Sequence, residues 1–275
     1  MAAPRRPAPV APVFEGGQAG ATSLRRGLEI LRTFREVDTP LGNKEIADRT
    51  GFPKATVARL TYTLVRMGYL RKTGPAGPYH LGEKVSALGH ALLNTLPVRR
   101  IAHPLMTEFA QRHDMPVALG AGDGASMVYL DTCAGPETVA MRLRVGTVIP
   151  MSSTAMGRAY LHGLAPADRE ARLRLVERQA GENAPQVLER LRRALHQAAR
   201  DGYAVSFGDW KPEIFAVGAP LLLDQGATLL ALNCGARRPR DTEEKFRRVL
   251  GPALIELATD IADTVASLGV TFWNE

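Results

Sequence analysis

Residues 43–70 read NKEIADRTGFPKATVARLTYTLVRMGYL, and their spacing predicts two short helices meeting at a tight turn and running into a strand. Asn43 is a good N-cap, Ile46 and Ala47 face inward one turn later, and Gly51 suits the left-handed geometry that ends a helix. Pro53 fits the opening of a second helix, where a missing N–H has no helical partner to lose. In that helix Val57, Leu60, Thr61, Leu64 and Met67 fall on one side at 3.6-residue spacing. The other side carries Ala55, Arg59, Tyr62 and Arg66, with Thr56 and Thr63 at its edge, and Gly68 closes the helix. An apolar stripe backed by Arg, Thr and Tyr is what a helix laid in a DNA major groove needs: the stripe anchors it, and the other face offers donors to base edges and phosphates.

Two ordinary amphipathic helices would show much of this pattern. The residues after the second helix favour the DNA-reading alternative. A strand beginning at Tyr69-Leu70-Arg71-Lys72 leads into Thr73-Gly74-Pro75-Ala76-Gly77-Pro78 and then Tyr79-His80-Leu81, a hairpin with a Gly/Pro tip and basic residues on its first strand. Such a hairpin is the wing of a winged helix-turn-helix, which lies along phosphates and positions without reading sequence. Lys54, Ala55, Thr56, Arg59, Thr63 and Arg66 of the second helix, with Arg71 and Lys72 of the wing, are the candidate DNA contacts.

Charge supports the same division of labour. The 275 residues carry a formal net charge of +7, and all of the excess lies in residues 1–96, which hold 14 Lys and Arg against 7 Asp and Glu; residues 97–275 hold 21 of each. A basic segment joined to a neutral remainder points to a polyanion-binding part and a part with another task. The two cysteines, Cys133 and Cys234, are too few for a disulfide framework or a four-cysteine zinc site, so a reduced, cytoplasmic setting is expected. Residues 1–20 have signal-peptide-like basic charge, but Pro7, Pro9 and Pro12 break any apolar helix, and a disordered tail is expected. No run of about 18 apolar residues suggests a membrane span. The six histidines lack metal-ligand spacing, and neither a metal nor a cofactor is expected.

Along the chain, Ser23 is placed to cap a first helix with Leu24, Leu28, Leu31 and Phe34 inward, completing a three-helix core. Residues 83–96 read as a connecting helix centred on Lys84 to Leu93. Beyond it, Ile101, Leu105 and Phe109 mark a helix, and Val117 to Ala121 and Met127 to Leu130 flank a turn at Gly122-Asp123-Gly124. A strand over Thr138 to Leu143 and helices over Thr154 to His162, Leu173 to Gln179 and Val187 to Ala199 come next. Strands at Tyr203 to Ser206, Ile214 to Leu223 and Thr228 to Cys234 precede a long final helix through Phe246, Leu250, Leu254 and Leu257. This order implies an α+β fold, with an antiparallel sheet and helices packed on one face.

The chain resembles the IclR family of bacterial transcriptional regulators from about Ser23 to Ser267. The resemblance rests on SLRRGLEIL at 23–31, EIA at 45–47, GFPKATVARL at 51–60 and YHLG at 79–82, then on STAMGRA at 153–159, DGYA at 201–204 and Ala219-Pro220. It implies an N-terminal winged helix-turn-helix, a linker helix and a C-terminal effector-binding domain with a GAF-like or profilin-like antiparallel sheet and flanking helices. It also implies dimers or tetramers on palindromic promoter sites, under control of a small metabolite. Two segments depart from the family pattern: Lys211-Pro212-Glu213-Ile214-Phe215-Ala216, and Leu232-Asn233-Cys234-Gly235 where many members carry Ser-X-Ser-Gly. Both line the family's effector pocket, so no relative's ligand transfers to this chain.

The candidate ligand site is Pro150 to Gly157, a strand end running into a helix whose free N–H groups and dipole favour a carboxylate. Ser153, Thr154, Ala155 and Met156 are its members; the plainer alternative is that Ser152 or Ser153 simply caps the helix. Asn233 and Cys234 would present an amide and a thiol to the same pocket, against the alternative that the cysteine is a small core residue. Ser206, Asp209 and Trp210, read as a loop between strands, either close the cavity or merely cover the surface. The glycines of residues 120–124 are read as a turn and not a dinucleotide fingerprint, since a helix does not come after them.

These readings divide the chain into a tail at 1–20, a DNA-binding domain at 21–82, a linker at 83–96, an effector-binding domain at 97–268 and a tail at 269–275. They describe a non-enzymatic regulator, repressing or activating, with an organic acid as effector, a homo-oligomer on double-stranded DNA, RNA polymerase as a further partner, and no membrane association. The rival from another class is an enzyme that turns over a small acid, its basic N-terminus serving oligomerisation or RNA contact. No catalytic constellation supports the rival.

Overall fold

In the computed structural model, residues 21–34, 40–75, 77–135, 143–237 and 243–271 are described. They divide between Leu92 and Leu93 into two units.

The first unit contains α1 (Thr22–Arg32), α2 (Asn43–Thr50), α3 (Lys54–Arg66), the antiparallel pair β1 (Leu70–Lys72) and β2 (Tyr79–Leu81), and α4 (Glu83–Asn94), whose last residues cross the division. Ile30, Leu41, Ile46, Ala47, Val57, Leu70 and Tyr79 form its core. Gly51 ends α2 at φ 72°, in the left-handed region. Gly68, at φ 78°, closes α3: its N–H reaches the Val65 carbonyl and the Tyr69 N–H the Leu64 carbonyl, the two reverse bonds of a Schellman motif. The chain then enters the wing directly. Leu41 adds a third, single-residue rung, exchanging both backbone hydrogen bonds with Tyr79.

Several local expectations shift by one or two residues. Gly42, not Asn43, is the N-cap of α2; Asn43 lies inside the helix, its side-chain oxygen 3.4 Å from the Thr61 hydroxyl of α3. Pro53 caps α3 from just outside it, its carbonyl accepting the Val57 N–H. Ala21, not Ser23, precedes α1, which is turned so that Gly27, Ile30 and Thr33 face inward while Leu24 and Leu28 are 65% and 54% exposed. Leucine spacing alone could not show this, since a buried glycine has no apolar side chain to count. Met67, the C-cap of α3, is likewise exposed.

The second unit is built on a six-stranded antiparallel sheet in the order β5-β4-β3-β8-β7-β6. Its strands are β3 (Val117–Asp123), β4 (Ser126–Cys133), β5 (Val148–Pro150), β6 (Ala204–Phe207), β7 (Ile214–Leu223) and β8 (Thr228–Arg237). Helices cover both faces, which corrects the one-face expectation. α5 (Pro97–His113) and α10 (Gly251–Ser267) pack over Val117, Leu119, Val217, Leu232 and Cys234, whereas α6 (Ala155–Gly163) and α8 (Ala184–Asp201) cover Ala118, Tyr129, Ala204 and Ala231, with α7 (Pro166–Ala180) beside them. The strands are apolar at both parities, as burial on two faces demands.

The β3–β4 turn falls at Gly124-Ala125, with Gly124 at φ 60°; Gly122 and Asp123 stay in the strand, Asp123 opposite Ser126. The strand expected over Thr138 to Leu143 lies outside the described residues except for Leu143, which is in no strand, and the tail at 1–20 lies outside them altogether. The final helix is interrupted. Between α9 (Glu243–Lys245) and α10 a π-helical turn runs Phe246–Leu250, and the Arg247 carbonyl accepts the Tyr203 hydroxyl at 2.7 Å. The Tyr203 ring packs where a side chain on Gly251 would stand, 2.6 Å from the position its Cβ would take.

Candidate DNA-reading face and effector site

On α3, Val57 and Thr61 are buried and anchor the helix. The Thr61 hydroxyl donates to the Val57 carbonyl at 2.9 Å and lies 3.3 Å from the Tyr79 hydroxyl of the wing, so helix and wing are keyed together. Lys54, Ala55, Arg59, Tyr62, Thr63 and Arg66 stand exposed on the outer side, and Thr56 is half-buried. The Thr63 hydroxyl is already turned back onto the Arg59 carbonyl at 3.2 Å. In the wing Arg71 is exposed, while Lys72 is half-buried, its ammonium donating to the Pro75 carbonyl and standing 5.6 Å above the Tyr79 ring. Of the two wing cations, Arg71 is the one free of the hairpin's own tip.

The start of α6 is built differently. Thr154 is the N-cap: its hydroxyl oxygen accepts the Gly157 N–H at 3.2 Å and donates to the Pro150 carbonyl at 2.7 Å. Neither Ser152 nor Ser153 caps. With Gly157 satisfied, the N–H groups of Ala155 and Met156 are the ones that helix geometry leaves without an intrahelical acceptor. Beneath them the sheet is paved with small residues. A Cβ on Gly218 would come within 2.5 Å of the Ala155 carbonyl oxygen, and one on Gly120 within 2.5 Å of the Met156 sulfur.

Ser206 lies in β6, not in a loop; it is buried and donates to the Ser153 carbonyl at 2.8 Å. Asp209 and Trp210 are in the β6–β7 connection, with Asp209 exposed. Arg158, only 4% exposed, ties these pieces together, donating to the Ser152 carbonyl, the Val205 carbonyl and the Asp209 carboxylate at 3.2, 2.6 and 2.7 Å. Ser153, Thr154, Ala155, Met156, Ser206, Asp209 and Asn233 thus share one side of the sheet.

Cys234 does not join them. Adjacent strand residues point to opposite faces, so Asn233 is on the α6 side while Cys234 is packed in the core under α5 and α10, where burial raises its thiol pKa. Two residues of this side have no mark in the sequence. Arg158 lies inside the motif at 153–159 with nothing to single it out, and Tyr129, an aromatic residue in an apolar strand, reads only as core. The Tyr129 phenol is buried beside Asn233, and burial, opposed by that amide, pushes its pKa up to about 12.

Away from this site, the buried Asp131 carboxylate is held by His103 at 2.9 Å and the Thr132 N–H at 2.9 Å, with Arg99 at 3.5 Å, fastening α5 to β4. Cys133 lies 3.6 Å from the same His103 nitrogen, but burial raises its thiol pKa, the reverse of what a nucleophile needs. Among the described residues, no group of three His, Cys, Asp or Glu is arranged to hold a metal ion.

Comparison with known proteins places both units. Residues 23–74 match the IclR helix-turn-helix domain, and residues 90–263 match the family described as bacterial transcriptional regulator IclR C-terminal. The HTH-type transcriptional regulator TsaQ1/TsaQ2 of Comamonas testosteroni is 32% identical over 90% of this chain and 89% of its own. An IclR family transcriptional regulator from Brucella abortus has a crystal structure 39% identical to this chain, with a TM-score of 0.83, covering 93% of this chain and 97% of its own. An IclR homologue from Microbacterium hydrocarbonoxydans, crystallised with 4-hydroxybenzoate, is 24% identical with a TM-score of 0.66, over 90% of this chain and all of its own, a likeness of fold. The helix-turn-helix and its wing, the two-sided antiparallel sheet and matches that run through both units make this chain a member of the IclR family of transcriptional regulators, DNA-binding proteins and not enzymes.

Proposed function

We propose that this regulator reads operator DNA through Lys54, Ala55, Thr56, Arg59, Thr63 and Arg66 of α3, with Arg71 and Lys72 of the wing on phosphates, and is controlled by a carboxylate-bearing metabolite held at the start of α6. The observation that carries the effector reading is the pair of N–H groups at Ala155 and Met156, left over after Thr154 has capped Gly157. A helix N-terminus with donors to spare favours a carboxylate. The Microbacterium homologue's ligand, 4-hydroxybenzoate, is also a carboxylic acid.

In this reading residues 21–82 bind DNA, 83–96 link and 97–268 sense. One helix and one wing bury too little surface for tight specific binding, so a homodimer or dimer of dimers on a two-fold site is the functional form. The effector then acts only through a difference in affinity between DNA-competent and incompetent arrangements, and linkage makes operator DNA change effector affinity by the same factor. A thermal-shift screen of small carboxylic and aromatic acids finds the effector, because a ligand of the folded state raises its stability. Calorimetry with and without saturating operator then tests the coupling. An affinity change of about 5- to 150-fold is expected. Equal affinities would move control to another step, such as contact with RNA polymerase, and failure of every acid to bind would remove the carboxylate site.

A further inference from the structure

Arg26 of α1 carries a charge that the first unit does not itself use. Its guanidinium carbon stands 5.4 Å from the centre of the Phe52 ring, in the turn between α2 and α3, and it makes no hydrogen bond or ion pair among the described residues. Arginines close by in the chain and the fold are engaged: Arg25 pairs with Glu29 at 3.6 Å, and Arg49 of α2 donates to the Thr33 carbonyl at 2.9 Å. An arginine that only braced α1 against the turn would be expected to find such an acceptor, because a buried donor left without one is costly.

The group is also held one way round. Nε is buried without a partner, whereas the two terminal nitrogens, equally without partners, are not enclosed. The inner edge of the guanidinium is therefore sunk against the protein, and its terminal fork is left open to solvent. The turn beneath it is braced: the Phe52 N–H bonds the Thr50 hydroxyl oxygen at 3.3 Å, and that hydroxyl donates to the Ile46 carbonyl at 2.7 Å. A cation held on an aromatic face keeps its orientation and loses less freedom when a ligand arrives. Lys54, two residues after Phe52, opens α3, so the fork stands at the entry to the reading helix. An open, pre-oriented guanidinium fork matches an oxyanion that accepts two hydrogen bonds. At the flank of a helix laid in a DNA groove, that oxyanion is a backbone phosphate.

We propose that Arg26, oriented by Phe52, grips a backbone phosphate of the DNA that α3 reads. This rests on α3 being the reading helix and adds an anchor on α1, outside both α3 and the wing. Because the contact is to phosphate, Arg26 fixes how α3 enters the groove without selecting sequence. Phe52 is then a positioning residue, acting on DNA only through Arg26.

The test uses the full chain and two labelled duplexes: one recovered by selection from a random pool with the unaltered protein, and a scrambled duplex of the same length and composition. Arg26→Gln should weaken binding to both by about tenfold. The slope of log affinity against log salt should become shallower by about 0.9 for each subunit bound. The melting temperature of the free variant should stay in place. Arg26→Gln should cost less than about threefold when Phe52→Leu is already present, since an unplaced guanidinium has less to lose. Should Arg26→Gln fail to fold, Arg26→Lys, which keeps the charge without the planar fork, should keep the salt slope and lose about threefold on both duplexes; no loss in Arg26→Lys would overturn the inference. An unchanged salt slope in a folded Arg26→Gln would overturn it and leave α3 as the reading helix. A loss confined to the selected duplex would assign Arg26 to a base edge and overturn the phosphate contact. An equal effect of Arg26→Gln with and without Phe52→Leu would overturn the role of Phe52. Recovery of no duplex by the unaltered chain would overturn the α3 reading and this inference with it.

Discussion

The α3 face and the start of α6 are both helices with polar work to do, and they are solved in opposite ways. On α3 the polar side chains project outward from a buried stripe, and Arg59 and Arg66 stand in solvent. At α6 the polar groups turn inward: Thr154, Arg158, Ser206 and Asn233 are all buried. A surface that meets a large polyanion can be assembled from independent exposed side chains, each contributing separately. A site that encloses a small molecule must be pre-organised by buried partners, so its members fail together. The contrast predicts large, shared losses of stability at α6 and local losses of affinity without loss of stability at α3.

The largest effect is expected for Arg158→Met. The guanidinium supplies donors to the Ser152 and Val205 carbonyls as well as to Asp209, and methionine supplies none. Asp209 is 42% exposed and can return to water, so little of the loss comes from the ion pair itself. The cost arises from buried groups left without a donor and from the loosened contact of α6 with β6, together about 3 kcal/mol. Urea unfolding should show this, and acid binding should be lost at the same time. A variant with unaltered stability would mean that α6 is held by its apolar contacts alone.

Next is Arg59→Ala, which should weaken specific operator binding by about 2 kcal/mol if the guanidinium reads a base edge. Unfolding stability should be unaffected, because Arg59 is exposed. Equal losses on operator and random duplexes would assign Arg59 to a phosphate. No loss on either would break the assignment of α3 as the reading helix.

The same contrast explains what is legible in the sequence. Outward positions on α3 follow from helical spacing once the buried stripe is identified, so periodicity alone places Arg59, Tyr62 and Arg66, and Gly51 and Gly68 mark helix ends because their conformation is local. Chain-distant pairing leaves no such trace. Nothing within 153–159 says that Arg158 meets Val205 and Asp209, some fifty residues on, and nothing in the apolar run at β4 says that Tyr129 abuts Asn233. Cys234 goes astray for a related reason: alternation along a strand is legible, but which parity faces α6 depends on which helix lands where. Helices on both faces remove the polar alternation that would mark the solvent side. In the first unit Leu24 and Leu28 read as inward because Gly27, with no side chain to count as apolar, takes the inward position.

Gly68→Ala probes the local kind of stability and should cost about 1 kcal/mol, since its φ of 78° strains any residue with a Cβ. The effect should remain in the first unit, loosening the entry to the wing and leaving acid binding at α6 unchanged. A comparable loss of acid affinity in this variant would show that the two units do not keep their stabilities separate.

The smallest effect concerns pH, and it belongs to the inward-built unit. Burial foremost, and the neighbouring Arg169, lower the pKa of His162 at the end of α6; burial, then Arg112 and Lys245, lower that of His113 against a smaller opposing pull from Glu256. Each histidine binds a proton less readily when folded than its ordinary value of 6.5 implies. As pH falls through 6.5 the unfolded chain takes up protons first, so stability is full above that value and declines below it until the folded histidines also titrate. Arg169 accounts for part of this at His162, because its guanidinium already caps the Leu161, His162 and Leu164 carbonyls and fills the place a protonated imidazole would take at the helix end. His162→Gln should therefore shrink the loss of melting temperature between pH 7.5 and pH 5.5, with His113 retaining the rest. If the variant and the unaltered chain lose stability in parallel over that interval, the acid sensitivity lies in other groups and His162 at the end of α6 contributes nothing to it.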